Sequence, residues 1–326
     1  MIKTTVVIPN HNGIEYLGPC LDSLADASEN GSLIDVIVVD NGSDDSSVQF
    51  VKEYGKTAVK LIELSHNTGF AYAVNRGIEA ADTEYVLLLN NDVTVKLDFI
   101  SELEQALDGD ERIFAVNPLM LQMHEPELID SAGDYYCALG WAYAGLKGKK
   151  AGRAGDSKKP VFSACAGASI YRKKLFDGIG LFDEEHFAYL EDVDIGYRAR
   201  INGYRSVFCP SAVCFHAGSA HSGSRYNEFK ISLASKNSIY IIYKNMPFLQ
   251  FILNLPFLIV GFAIKTLFFS FKGYGATYLR GLAQGFKLCF SEKGKSHKVR
   301  FKLTNLANYI VIQLELWVNI IRRLFV

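Results

Sequence analysis

Residues 4–12 read Thr4-Thr5-Val6-Val7-Ile8-Pro9-Asn10-His11-Asn12, a short apolar run closed by polar, turn-forming residues. A run of this length, rich in branched side chains, is expected to form a buried strand. The same form recurs at Asp35 to Asp40, Val59 to Leu64 and Tyr85 to Asn90. Helical stretches near Glu15 to Ala27, Ser46 to Tyr54 and Phe70 to Ala81 lie between the runs. Strand and helix in alternation imply an α/β fold with a doubly wound, mostly parallel sheet. Ligands of such sheets bind beyond the carboxyl ends of the strands. The polar clusters fall there: Asn10-His11-Asn12, Asp40-Asn41-Gly42-Ser43, Asn67-Thr68-Gly69 and Asn90-Asn91-Asp92.

The chain has 326 residues, 49% of them hydrophobic, enough for a substantial core. Its formal net charge of -1 hides an asymmetry. From Lys244 onward there are 12 Lys and Arg against two acidic residues, which leaves 22 against 33 before it. An acidic body is a poor nucleic-acid binder, whereas a basic, aromatic-rich tail suits an anionic lipid surface. Asn245 to Ile264 carries no charge, but Gln250, Asn254 and Pro256 interrupt it. This favours an interfacial or re-entrant region over a spanning helix or a helical subdomain packed on the body. An apolar helix is expected from Leu306 to Val326. Residues 140 to 160, rich in Gly, Lys and Ala, read as a mobile loop that could form a lid. The six cysteines include no C-x-x-C pair, and Val6 to Pro9 reads as a strand rather than part of a secretory signal. Reduced, structural thiols in a cytoplasmic setting are therefore expected.

Residues 4–51 contain no Lys or Arg, so basic side chains of the first loops cannot neutralise a nucleotide diphosphate there. Neither a Walker loop nor a G-x-G-x-x-G opening is present. A divalent cation, Mg2+ or Mn2+, is the remaining economical answer. Asp92, at the end of the fourth run, could hold it, with Asn90 or Asn91 adding an oxygen, although Asn-Asn-Asp could equally cap a turn. Asp40 could accept the imide N–H of a uracil or thymine ring, or shape its turn with Ser43. Glu191 or Asp192 could be a general base, or could serve only as a partner of a helix dipole. His216 could offer nitrogen to the metal or a proton to a diphosphate, with His221 as its rival.

Taken in order, the runs Val6 to Asn12, Val38 to Asp44, Asn67-Thr68-Gly69-Phe70 with Asn75-Arg76-Gly77, and Leu88 to Asp92 resemble glycosyltransferase family 2. Gly167-Ala168-Ser169, Gly180 to Glu184, Glu191-Asp192-Val193-Asp194 and His216 look like its rhamnosyltransferase-type branch. The resemblance covers roughly residues 3 to 225. It departs at Asn-Asn-Asp, where the family often has Asp-x-Asp, and at His11, where Thr or Tyr is common.

The resemblance implies a GT-A fold and an inverting, metal-dependent transfer of sugar from a nucleotide diphosphate donor, linked to dTDP or UDP. It gives Asp92 the metal, with His216 nearby, and makes Asp192 the catalytic base with Glu191 beside it. Pro9, Asn10, Asn12, Asp40, Asn41, Ser43, Asn67, Gly69, Asn75 and Asn91 fall to the donor pocket. The leading donor is dTDP-rhamnose, and the expected acceptor is a lipid-linked glycan of cell-surface polysaccharide synthesis. Residues 1–115 then form the nucleotide-sugar-binding half and 116–230 the acceptor-binding and catalytic half of one domain. Residues 231–326 form a helical region that associates with the cytoplasmic face of the cell membrane, through residues 245–326. The rivals are a noncatalytic scaffold with a decayed transferase domain and a sugar-phosphate nucleotidyltransferase, which would need basic groups early in the chain.

Overall fold

A computed structural model describes residues 2–218 and 226–325. The first four strands form where the apolar runs lie: β1 (Thr4–Asn10), β2 (Ile34–Asn41), β3 (Val59–Leu64) and β4 (Tyr85–Leu89). They are joined by α1 (Ile14–Glu29), α2 (Ser47–Glu53) and α3 (Phe70–Ala80). β2 pairs in parallel with β1 and β3, and β1 pairs in parallel with β4. Along β1 the side chains alternate between two cores. Val6 and Ile8 meet Leu17 and Leu21 of α1, while Val7 meets Val74 and Ile78 of α3.

The chain continues through β5 (Val93–Val95), α4 (Phe99–Asp108), β6 (Ile113–Gln122), β7 (Ile129–Ser131), β8 (Asp134–Cys137), β9 (Trp141–Ala144), β10 (Lys159–Val161) and β11 (Ala168–Arg172). It then forms α5 (Phe176–Ile179), α6 (Glu191–Ile201) and β12 (Arg205–His216). The main sheet runs β10-β12-β6-β11-β4-β1-β2-β3, with β5 paired to β12 and β7 to β6. β11 is antiparallel to both β4 and β6. The chain passes from β1 to β2 and β3 on one side and then returns through α3 to place β4 on the other side of β1, a reversal of strand order that opens a crevice at the strand ends there.

The loop expected over residues 140–160 is instead β9, a 3-10 turn at Ala151–Arg153 and β10. Gly145 is small where the segment packs closely, whereas a Cβ at Gly148 or Gly152 would meet nothing within 4 Å. The Gly145 N–H donates to Gly133 O at 2.7 Å, and a Cβ at Gly145 would lie 2.8 Å from the Tyr135 ring.

Five further helices follow: α7 (Glu228–Asn245), α8 (Phe248–Phe271), α9 (Gly275–Phe290), α10 (Glu292–Ser296) and α11 (Leu306–Leu324). α8 runs unbroken through Pro256. The polar residues that interrupt its sequence face inward in one helical stripe. Asn254 and Gln313 of α11 exchange two hydrogen bonds of 2.8 Å, and Gln250 accepts from Tyr197 at 2.6 Å. The outward face stays apolar, with Leu253, Phe257, Val260, Ile264 and Leu267 exposed.

Candidate active site

The four polar strand ends bond to one another as well as to their own turns. The Asn10 amide donates to Asp40 Oδ1 at 2.9 Å and accepts from the Asn91 amide at 2.7 Å, which ties β1 to both neighbours. Ser43 donates to Asp40 through its hydroxyl at 2.6 Å and through its backbone N–H at 2.9 Å. Asn41 accepts from the Thr68 backbone and hydroxyl, both at 2.8 Å, and donates to Asn67 and to Gly69 O at 3.2 Å. Asn12, in a left-handed conformation, accepts from the Asp44 backbone at 2.9 Å. Gly13 is required beside this lattice, since a Cβ there would fall 1.9 Å from the Asn91 amide nitrogen. Pro9 and Ser43 are half-buried at its edge. Asn75 is engaged elsewhere: its amide donates to Phe182 O at 2.8 Å and to Glu184 at 3.1 Å, and its oxygen accepts from the Phe182 N–H at 3.0 Å.

Asp92 follows β4 and is 6% exposed. Pairing of β5 with β12 brings His216 opposite Val93, and His216 Nε2 lies 3.4 Å from Asp92 Oδ1. That oxygen makes no hydrogen bond of good geometry and faces the imidazole as an ion pair. The other imidazole nitrogen, Nδ1, lies 2.8 Å from Asp130, itself paired with Lys147. Burial works against charge on His216, but Asp130 and Asp92 outweigh it and lift the imidazole to about 9. A carboxylate facing an imidazole whose far nitrogen is held by a second carboxylate is a donor set that fits a divalent cation once the cation displaces the proton on Nε2. Ser219 and His221 lie outside the described residues.

Glu191 and Asp192 open α6. The turn before them is strained: Phe187, Tyr189 and Leu190 have φ of 64°, 68° and 69°, at a cost of about 1–3 kcal/mol each. Asp192 is half-buried, its Oδ1 accepting from the Val193 N–H at 2.7 Å. Burial raises its carboxyl, and backbone donors at Val193 and Ala166 counter this only in part. Burial, and then Asp192, pushes Glu191 up to about 8.

The side chains of Asp134 and Asp192 share a hydrogen bond, and burial followed by the Asp192 charge holds Asp134 well above the carboxylate range. One carboxyl of this pair is thus protonated when the other is charged. Cys165 completes a group whose candidate ligand atoms lie within 4.8 Å of one another. The loop after Cys165 bridges the two halves of the site: Gly167 O accepts from the Asn90 N–H at 2.8 Å, while the Ala166 N–H donates to Asp192. A second group within 4.8 Å, Asp183, His186 and Asp194, already holds the Lys244 ammonium, 2.6 Å from Asp183 and 2.8 Å from Asp194. Asp130, Asp134 and Lys244 carry no local sequence signal. Their partners are created by antiparallel pairing and by helix packing between distant segments.

The profile of Glycosyl transferase family 2 matches residues 5–180, more than half of the chain. This chain belongs to glycosyl transferase family 2. A Mycobacterium tuberculosis N-acetylglucosaminyl-diphospho-decaprenol L-rhamnosyltransferase is 31% identical over 248 residues, 68% of this chain and 77% of that protein. A shorter likeness, 28% over 110 residues, joins the family 2 transferase to the Staphylococcus aureus poly(ribitol-phosphate) beta-N-acetylglucosaminyltransferase TarS, covering 33% of this chain and 19% of that one. The structure of TarS 1-349 with UDP-GlcNAc aligns with a TM-score of 0.60 at 18% identity, over 90% of this chain and 83% of that one. The mannosyltransferase PcManGT of Pyrobaculum calidifontis, solved with GDP-Man and Mn2+, aligns at 0.54 and 16%, over 96% and 86%. The expected GT-A fold is therefore present. The protein is a glycosyltransferase, with the rhamnosyltransferase likeness that its motifs imply.

Proposed function

We propose that this transferase moves L-rhamnose from dTDP-rhamnose, with inversion, to a hydroxyl of a lipid-linked glycan during cell-surface polysaccharide synthesis. The buried carboxylate of Asp92, paired with His216 at the strand ends where the strand order reverses, carries the metal-assisted part of this reading. The rhamnosyltransferase relative supports the choice of sugar and acceptor. Asp92 and His216 would hold Mg2+ or Mn2+, which supplies positive charge against the leaving diphosphate. Asp40, held by Asn10 and Ser43, faces the base end of the donor, while Asn12, Asn41, Asn67, Gly69 and Asn91 shape the nucleotide pocket around it.

Asp192 is the base. It takes the acceptor hydroxyl proton as that oxygen bonds to the anomeric carbon and the bond from that carbon to the diphosphate oxygen breaks. Burial raises its affinity for protons while the hydrogen bond from Asp134 holds it in the charged form, and that balance suits the task. The exposed apolar faces of α8 and α11, flanked by basic residues, support docking on the anionic cytoplasmic face of the membrane, where a lipid-linked acceptor presents its sugar.

Calorimetric titration with dTDP and with UDP, in Mn2+ and then in EDTA, tests the donor site. Metal-dependent binding of one nucleotide is expected, weakened at least tenfold in Asp92→Ala, a loss of about 1.4 kcal/mol. Binding unaffected by EDTA would refute the metal role, and binding of neither nucleotide would favour a noncatalytic scaffold.

A further inference from the structure

The turn that presents Glu191 and Asp192 holds a conformation that its own residues disfavour, with Phe187, Tyr189 and Leu190 all left-handed. The carbonyls of His186, Ala188 and Tyr189 converge on one side chain. Asn237 of α7, fully buried, donates its amide to them at 3.0, 2.9 and 2.7 Å. Two amide protons are thus shared among three carbonyls, a geometry that exists only while the turn keeps its shape.

The same helix grips the ends of the segment. Lys244, about two turns along α7 from Asn237, lies between Asp183 before the turn and Asp194 after it. Asn245 donates to the second Asp194 oxygen at 2.8 Å, and Lys236 donates to Glu185 O at 2.7 Å. With Tyr240, whose hydroxyl donates to Asp183 at 2.9 Å, five side chains of α7 therefore bind residues 183–194. This whole arrangement lies beyond residue 180, where the family profile ends.

We propose that Asn237 is a positioning residue of the active site: through the carbonyls of residues 186–189 it fixes the start of α6, and so the direction in which Asp192 meets the acceptor. The first helix of the C-terminal region is then part of the catalytic apparatus as well as a support for the apolar surface. The proposal rests on Asp192 as the base.

The test compares wild type, Asn237→Ala, Asn237→Asp and Asp192→Asn in the full chain. Turnover is followed as nucleoside diphosphate release with dTDP-rhamnose and UDP-hexoses as donors, alongside calorimetric nucleotide binding and amide hydrogen exchange. Asn237→Ala should bind nucleotide as wild type does, lose on the order of 10²-fold in kcat with little change in donor KM, and exchange the 187–194 amides faster. Asn237→Asp keeps the shape but, protonated in this buried place, donates one hydrogen bond, so its rate and exchange should fall between the two. It carries the test should the alanine variant fail to fold.

A purely structural Asn237 would lower thermal stability and leave kcat unchanged, and that result overturns the proposal. Full turnover in Asp192→Asn, with Asn237→Ala impaired, would instead sink the base assignment alone. Should the wild type release nucleotide from none of these donors, the donor reading fails, and unchanged exchange at 187–194 would still overturn the positioning role.

Discussion

Glu191 illustrates how burial in this site suppresses charge. It is 7% exposed, its Oε2 has no hydrogen-bond partner, and burial followed by the neighbouring Asp192 pushes it up to about 8 from an ordinary value of 4.5. A carboxyl whose folded value is raised binds its proton more tightly in the folded state than in the unfolded one. Its contribution to stability is complete below about pH 4.5 and is lost as pH rises through about 8. Glu191→Gln fixes the neutral shape and should remove that loss. Urea unfolding at pH 5 and pH 8.5 is expected to give the variant an advantage at the higher pH only, of roughly 2–4 kcal/mol. Parallel pH dependences in the two proteins would mean that Glu191 carries no such load. Asp183 and Asp194 run the other way: despite their burial, His297 and Lys244 hold Asp183 below the usual range, and Lys244 and Arg198 do the same for Asp194. Their contribution is present above the ordinary carboxylate value and fades only in acid.

α8 is, among the described residues, the one helix long and apolar enough to cross a membrane, yet Gln250, Asn254, Leu258 and Gly261 pack inward along its length. Trp141 donates to Gly261 O at 3.1 Å, and a Cβ at Gly261 would sit 2.1 Å from Leu139 O. A helix seated this closely on the body keeps one apolar face turned outward, the arrangement an interfacial helix would use. Leu253→Glu with Val260→Glu changes only that face and should reduce co-sedimentation with anionic vesicles at least tenfold while sparing nucleotide binding. Wild-type chain that ignores such vesicles at low salt would defeat the docking surface altogether. Elements also decide how much could be read in advance. β1 to β4 and α1 to α3 were legible because each carries its own period and its own polar stop, and Asp40 and Asp92 were legible as the ends of those strands. β6, β11 and β12 pair across long stretches of chain, so only the family resemblance placed His216 near Asp92, and nothing in the sequence pointed to its Asp130 partner. The interruptions in α8 looked like defects in a spanning helix because sequence alone does not say which face turns inward.

At the scale of the molecule, the acidic body and the basic tail share a core. Ile241, Ile242 and Met246, at the end of α7, pack in one cluster with Leu258 of α8, with Ile312 and Leu316 of α11, and with Tyr136, Phe162 and Tyr197 of the body. Arg200 of α6 meets Glu315 of α11 at 2.6 Å, and the Asn319 amide donates to Tyr136 O at 2.9 Å. The C-terminal helices therefore cannot be detached as a separable anchor. A chain ending after Asn245 would expose that cluster and leave Tyr197 without Gln250 and Arg200 without Glu315. At about 1.5–3 kcal/mol for each large apolar side chain uncovered, a handful would match the roughly 5–15 kcal/mol that holds a typical domain together. Such a chain is expected to be insoluble or to bind bis-ANS without a cooperative melting transition. Its failure should persist in detergent, because what it lacks is packing against the body as well as contact with lipid. A soluble, cooperatively melting fragment with nucleotide affinity equal to that of the full chain would show that the shared core is dispensable, and would return the tail to the role of a simple membrane attachment.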